Sequence, residues 1–222
     1  MLFRSRGLGI DPTSPMVLVE SSRLLRVLGR SQEEIAILEF LTERDPLNST
    51  SWNNQAIAYR YAGRKAESIA AARTVLNLNE RRGAAQFQLG LSLLVNGDAE
   101  AALAAFGSES VPAWKRIGLP MGYHAIGQKA ESDAALAELI EKDSGDAAYN
   151  IAYVLAFRGE VDRAFDWLEK AVEQRDSGLS ELAVDPLFLP LRGDRRWLPL
   201  LRRLGKAPEQ LAAIQFRVTL PK

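Results

Sequence analysis

The sequence predicts an all-α chain: a superhelical solenoid of antiparallel helical hairpins with a helical C-terminal cap. Three observations carry that reading. Gly29, Gly63, Gly97, Gly127 and Gly159 recur at intervals of 34, 34, 30 and 32 residues. The same large and small residues return around each of them. Apolar positions on both sides of each glycine are spaced as on one face of a helix. A recurrence of fixed length marks stacked copies of one unit, each burying its apolar face on the next, rather than a single core around a buried active site.

The register is explicit. Four residues before the glycines stand Leu25, Tyr59, Leu93, Tyr123 and Leu155, and nine after them stand Leu38, Ala72, Phe106, Leu136 and Leu168. Seven before come Ser22, Ala56, Gly90, Pro120 and Ala152; five after come Glu34, Ser68, Ala102, Ser132 and Ala164. Each unit is therefore two helices, with the glycine ending the first, where a left-handed backbone is needed. The array covers 1–176: the tail of a partial unit in 1–12, then units at about 15–46, 49–80, 83–108, 113–142 and 145–176. Capping helices and an extended tail fill 177–222.

Taken in order, the elements have local signals. Ser14 before Pro15 suits an N-cap with proline in the first helical position. Ser31 with Glu34 reads as a capping box opening the next helix, and Glu33 and Glu34 read as exposed helix surface. Asp45-Pro46 closes the first full unit, and Asn48-Ser49-Thr50 lies in a helix-capping turn. The third unit is short, with Gly107 to Pro112 as a loop, and Pro120 beside Gly118 is expected to kink or shorten the fourth unit's first helix. Past Arg175 the period stops. Pro186, Pro190 and Gly193 mark turns, and Asp194 caps a short helix ending at Leu204 and Gly205. Pro199 in that helix calls for a kink or a later start. Pro208 to Ile214 reads as one more short helix, and Ile214 to Pro221 alternates like a strand, with a tail folded back on the solenoid as the preferred arrangement. Asp11-Pro12, 34 residues ahead of Asp45-Pro46, reads as the close of a unit whose body is missing. That would leave an apolar N-terminal face suited to a homodimer or a fused domain.

Composition narrows the function. Lys plus Arg and Asp plus Glu number 28 each, so net charge selects neither nucleic acid nor membrane. With no cysteine and one histidine, thiolate chemistry is excluded, and the common zinc and serine-hydrolase arrangements are disfavoured. The first ten residues lack the apolar core of a signal peptide and no run has the length of a membrane span. The chain thus reads as soluble and cytoplasmic, with the periplasm left open. There is no phosphate loop, paired-histidine motif or nucleophile elbow, so the chain reads as a non-enzyme with no cofactor and no metal.

The aromatic, small and glycine positions of Trp52 to Asn79, Ala84 to Phe106 and Ala148 to Val172 resemble the tetratricopeptide repeat, a 34-residue helical hairpin. The resemblance implies a right-handed superhelix whose inner face binds an extended peptide or a helix. From Tyr123 onward, Tyr123-His124-Ala125-Ile126-Gly127, Ala147 to Glu160, Asp185-Pro186-Leu187 and Asp194 to Leu204 look like the C-terminal ends of bacterial winged-helix regulators and nucleotide cyclases. That likeness implies an alternative function as the sensor or regulatory module of such a protein, with the output domain outside this chain.

The inward positions fall ten, six and three residues before each glycine. They give a candidate groove of Arg23, Arg26, Asn53, Ile57, Arg60, Phe87, Leu91, Leu94, Met121, His124, Tyr149 and Tyr153, together with Val19, Ile117 and Ala156. Two readings stand. In one, the arginines attract acidic groups of a protein or peptide partner while aromatic residues bury its apolar anchors. In the other, several of these residues are inter-repeat core and the arginines a solvated face. His124 is read as a packed histidine, with a pH sensor as the alternative. The basic cluster of Arg192, Arg195, Arg196, Arg202, Arg203 and Lys206 is read as ion-paired, and no direct nucleic-acid binding is expected.

Overall fold

In the computed structural model, which describes residues 14–220, ten helices pair into five antiparallel hairpins. These are α1 (Pro15–Val27) with α2 (Ser31–Arg44), α3 (Ser49–Tyr61) with α4 (Lys65–Leu78), α5 (Ala85–Asn96) with α6 (Ala99–Gly107), α7 (Pro112–Ala125) with α8 (Lys129–Asp143), and α9 (Ala148–Phe157) with α10 (Val161–Gln174). Two 3-10 segments, Ser177–Glu181 and Pro186–Leu191, then lead to α11 (Trp197–Arg203) and α12 (Pro208–Ala212). No strand occurs among the described residues, and no helix among them is long and apolar enough to cross a membrane.

Every hairpin turns at its glycine. The five have φ between 72° and 97°, a conformation that a Cβ would strain. The next residue's N–H then reaches back to the carbonyl four residues before the glycine: Arg30 to Leu25 at 2.9 Å, Arg64 to Tyr59 at 2.8 Å, Asp98 to Leu93 at 3.0 Å, Gln128 to Tyr123 and Glu160 to Leu155 at 2.9 Å. The recurring large residue thus has two tasks: its carbonyl closes the helix, and its side chain enters the core, as with Leu25, Tyr59, Leu93 and Leu155.

The small-residue register lets the paired helices approach. Position five after the glycine meets position seven before it: the Ser68 hydroxyl donates to the Ala56 carbonyl at 2.8 Å, and that of Ser132 to the Pro120 carbonyl at 2.7 Å. In the third and fourth hairpins the Phe106 ring fills the space. A Cβ on Gly90 or Gly118 would lie 2.4 or 2.3 Å from that ring.

Four local expectations are corrected. α2 has Arg30 at its N-cap and no capping box, because Glu34 turns inward rather than back to the helix start. Glu34 is accordingly buried, not surface. Pro120 does not shorten α7, which runs unbroken from Pro112 to Ala125. The close approach of Gly118 to Phe106 and of Gly122 to Leu103 seats the helix against α6 on either side of Pro120, and tertiary packing outweighs one lost hydrogen bond. The alternating tail, Ile214 to Leu220, forms no strand. Pro199 is accommodated by the later helix start at Trp197, which places it in the first turn. Asp11-Pro12 lies outside the described residues.

Two apolar clusters run through the array. One joins α1 to α4 around Leu18, Leu25, Leu38 and Tyr59. The larger extends from Ile69 on α4 to Ala207 and takes in both 3-10 segments and α11. The C-terminal tail returns to the first hairpins: Phe216, Val218 and Leu220 lie on the N-terminal cluster, and Arg30 donates to the Phe216 carbonyl. Val184 sits beside Gly29, and α1 touches the segment 177–181. The N-terminal hairpin, expected to present an open apolar face, is thus covered in part by the chain's own tail.

The Phe106 contact makes a prediction against helix propensity. Gly90→Ala should gain up to about 1 kcal/mol in intrinsic helix preference yet destabilise the fold by about 1–3 kcal/mol through overpacking, as urea denaturation would measure. A neutral or stabilising result would show that the Phe106 ring moves aside freely.

Candidate functional site

The first helices of the hairpins line the inner face of the solenoid, and the segment 177–191 occupies it. Its anchor is Phe188, 0% exposed, whose ring lies 5.3 Å from Tyr149, 6.3 Å from Tyr153 and 6.0 Å from Trp197. Pairs of this geometry add to the stabilisation from burial itself. Gly178 is needed where the segment crosses α9, since a Cβ there would lie 2.4 Å from the Tyr149 ring. Asp176 fastens the entry to the segment by accepting from the backbone N–H of Gly178 at 2.8 Å and of Tyr149 at 3.0 Å.

The segment brings two carboxylates to the basic end of the face. Glu181 accepts from Tyr61 Oη at 2.6 Å and from Arg26 Nη1 at 3.4 Å. Asp185 is buried and accepts from Tyr149 Oη at 3.1 Å and Leu187 N at 2.9 Å. Burial pushes the Asp185 carboxyl above its ordinary value, while the Arg60 charge opposes that rise. Burial also raises the hydroxyls of Tyr61 and Tyr149, so both stay protonated as donors.

Arg26 is 4% exposed and every part of its guanidinium is engaged. Nε donates to Glu34 at 2.7 Å, Nη1 to Glu181, and Nη2 to the Asn54 carbonyl at 3.3 Å. Glu34, wholly buried, is pushed up to about 7, because burial outweighs the attraction of Arg26 and Glu181 adds repulsion. Arg60 occupies the equivalent place one hairpin on, but Ser68 stands where Glu34 would be. Its Nε and Nη1 are buried without a hydrogen-bond partner, and its guanidinium carbon lies 5.5 Å from the centre of the Tyr61 ring.

Between the array and the segment remains a cavity of about 210 Å³. Of the residues expected in a groove, Arg26, Ile57, Arg60, Phe87, Leu91, Tyr149 and Tyr153 line it. The others lie elsewhere. Arg23 is exposed and bonds Glu20 and Asn54, Asn53 is half-buried, and Leu94 and Met121 belong to the inter-repeat core. His124 is exposed on another cleft, edge-on to Phe157 at 5.9 Å, with its pKa lowered by burial and by Arg158. Tyr61, Gln88, Trp114, Asn150, Glu181, Asp185 and Leu187 complete the lining. Sequence reasoning missed them because period counting stops before 177 and samples only three positions per helix. In the C-terminal basic cluster, Arg196, Arg202 and Arg203 are ion-paired with Asp162 and Asp194, Glu209 and Glu169 respectively. Arg192 and Lys206 donate to backbone carbonyls.

The family model of the tetratricopeptide repeat matches residues 53–115 and 125–178. No curated protein matches the chain in sequence. Among solved structures, YrrB, described as a tetratricopeptide repeat protein with an unusual peptide-binding site, is similar at 18% identity and a TM-score of 0.50, over 81% of this chain and 95% of that one. A tetratricopeptide repeat protein from Parabacteroides merdae is similar at 18% identity and a TM-score of 0.57, over 94% of this chain and 80% of that one. At that identity the likeness is one of fold.

The raised carboxyl of Glu34 gives a pH signature. Folded, Glu34 holds its proton more tightly than unfolded, so its contribution to stability is complete below its ordinary value of 4.5, declines as pH rises to about 7, and is level above that. Urea denaturation of the wild type and Glu34→Gln across this range should show the difference (wild type minus variant) falling from pH 4.5 to 7. A difference that is flat or rises would contradict the burial-dominated carboxyl.

Proposed function

The chain belongs to the tetratricopeptide repeat family, and we propose that it is a non-enzymatic interaction scaffold whose concave face binds an acidic, apolar segment of a partner protein in place of its own residues 177–191. One observation supports this above the others: the face already holds a ligand of that kind in cis. The segment offers two carboxylates to a basic end and one aromatic anchor to an aromatic end, the combination that an arginine-and-tyrosine surface selects. A partner carrying the same pattern meets the same donors and the same rings. The peptide-binding description of YrrB agrees with such a use of the fold.

In this reading the C-terminal segment sets the threshold for binding. Tethered to α10, it competes at an effective concentration on the order of millimolar, so only partners that bind better than it does, or that meet the molecule while it is undocked, gain the face. Apparent affinity is then the intrinsic affinity reduced by the fraction of chains with the segment released.

A labelled peptide with the sequence of residues 177–191 tests this by fluorescence anisotropy. Phe188→Ala removes about 3–5 kcal/mol of anchoring and should raise the apparent affinity of the added peptide by at least about tenfold over wild type, with the helical circular dichroism retained. Equal affinities in two folded proteins would contradict a competing segment on the binding face.

A further inference from the structure

Arg60 and Gln88 face the same cavity with opposite needs. The Arg60 side chain, 6% exposed, has buried Nε–H and Nη1–H groups without acceptors, and the Gln88 Oε1 is buried without a donor. Buried polar groups are nearly always satisfied, and an unsatisfied one costs about 1–3 kcal/mol, more when charged. Two of them on one 210 Å³ cavity describe a binding site by its missing half.

The repeat itself states what an arginine at this position takes. Three residues before the hairpin glycine, Arg26 donates its Nε–H to the carboxylate of Glu34, five residues after it. In the next hairpin Ser68 replaces that carboxylate and turns away to the Ala56 carbonyl and Ser92. Arg60 is therefore left with room and donors for a carboxylate from outside the repeat. Asp185 is not a substitute: no ion pair joins it to Arg60, and its oxygens accept from Tyr149 and Leu187. It does place a negative field, with the free Gln88 oxygen, where a positive group would be held. An anion alone would add to the acidic charge of Glu34, Glu181 and Asp185, whereas a zwitterion adds no net charge. Phe87 and Trp114, with ring centroids 5.0 Å apart, supply an apolar wall.

From these constraints we propose that the cavity is a binding site for a free α-amino acid with an apolar side chain. Its carboxylate meets Arg60, its ammonium meets Gln88 Oε1 in the field of Asp185, and its side chain lies toward Phe87 and Trp114. The volume is that of about seven water molecules, enough for a small amino acid and too little for a peptide. This site goes beyond the partner binding proposed above and needs residues 177–191 in place, since Glu181, Asp185 and Leu187 form part of its wall; a partner that displaces the segment abolishes it.

Isothermal titration calorimetry on the full chain tests it, with L-leucine and L-phenylalanine as probes and 4-methylpentanoate and 3-methylbutylamine as the two halves of leucine. At least one amino acid should saturate a single site per chain, with each half-ligand weaker by about tenfold or more. Arg60→Lys keeps the charge but loses the planar fork, and Gln88→Leu removes the acceptor; each should weaken the amino acid by about tenfold with unchanged circular dichroism. If one variant fails to fold, the other and the half-ligand series decide. The proposal is overturned if neither amino acid saturates up to about 10 mM, if 4-methylpentanoate binds as well as leucine, or if a folded variant binds as the wild type does.

Discussion

The guanidinium of Arg26 is the constraint on which the architecture depends. A cation this deeply buried is tolerated only when each of its donors has a partner, and stripping one away leaves a penalty of several kcal/mol. Its partners come from three places: Glu34 on α2, the Asn54 carbonyl on α3, and Glu181 on the segment beyond the last hairpin. The first ties together the two helices of the first hairpin, and the second sets that hairpin against the next. The third, 155 residues away in sequence, is in reach only if the solenoid curls until its C-terminal end returns to its first helix. Satisfying one side chain therefore requires the curvature of the whole array.

That curvature decides what becomes of the inner face. In an open solenoid, the rings of Tyr149 and Tyr153 would lose the Phe188 ring they pack against here. The polar and apolar parts of the closure are coupled, because the same short segment carries Glu181, Asp185 and Phe188. Loosening either end exposes the other. The tail on the N-terminal cluster is a second closure, held by Phe216, Val218 and Leu220. In the binding mode proposed above, the groove opens by displacement of a segment rather than by flexing of the repeats, which bury continuous cores and deform little.

The hairpins were legible because the chain repeats itself: five glycines at positive φ, with a large residue four before and a small one seven before, follow from the turn and the packing that any such hairpin needs. The same register contained the site's key anomaly. Position five after the glycine is buried in all five hairpins, as Ser68, Ala102, Ser132 and Ala164 show. A glutamate there is a buried charge that demands a cation, and Arg26 is the nearest in register. Local capping statistics instead suggested a box with Ser31, a pattern that costs nothing to satisfy by chance. Burial at the inward positions was half legible, since arginine and tyrosine serve equally well on a wet groove and in a closed one. What no periodicity reports is where an aperiodic segment goes. Residues 177–191 carry proline and glycine signals that mark turns, and only the three-dimensional return to α1 and α9 shows them to be the filling of the concave face.

Hydrogen exchange of the amides in residues 177–191 of the intact chain tests the closed solenoid most directly. If the segment is an integral part of the inner face, the bonded amides of Leu179, Leu182, Leu187 and Phe188 should exchange as slowly as those of α9 against which they lie. Exchange at the rate of an exposed loop, with α9 still protected, would mean that the inner face is open in solution and that Arg26 and Phe188 do not close it.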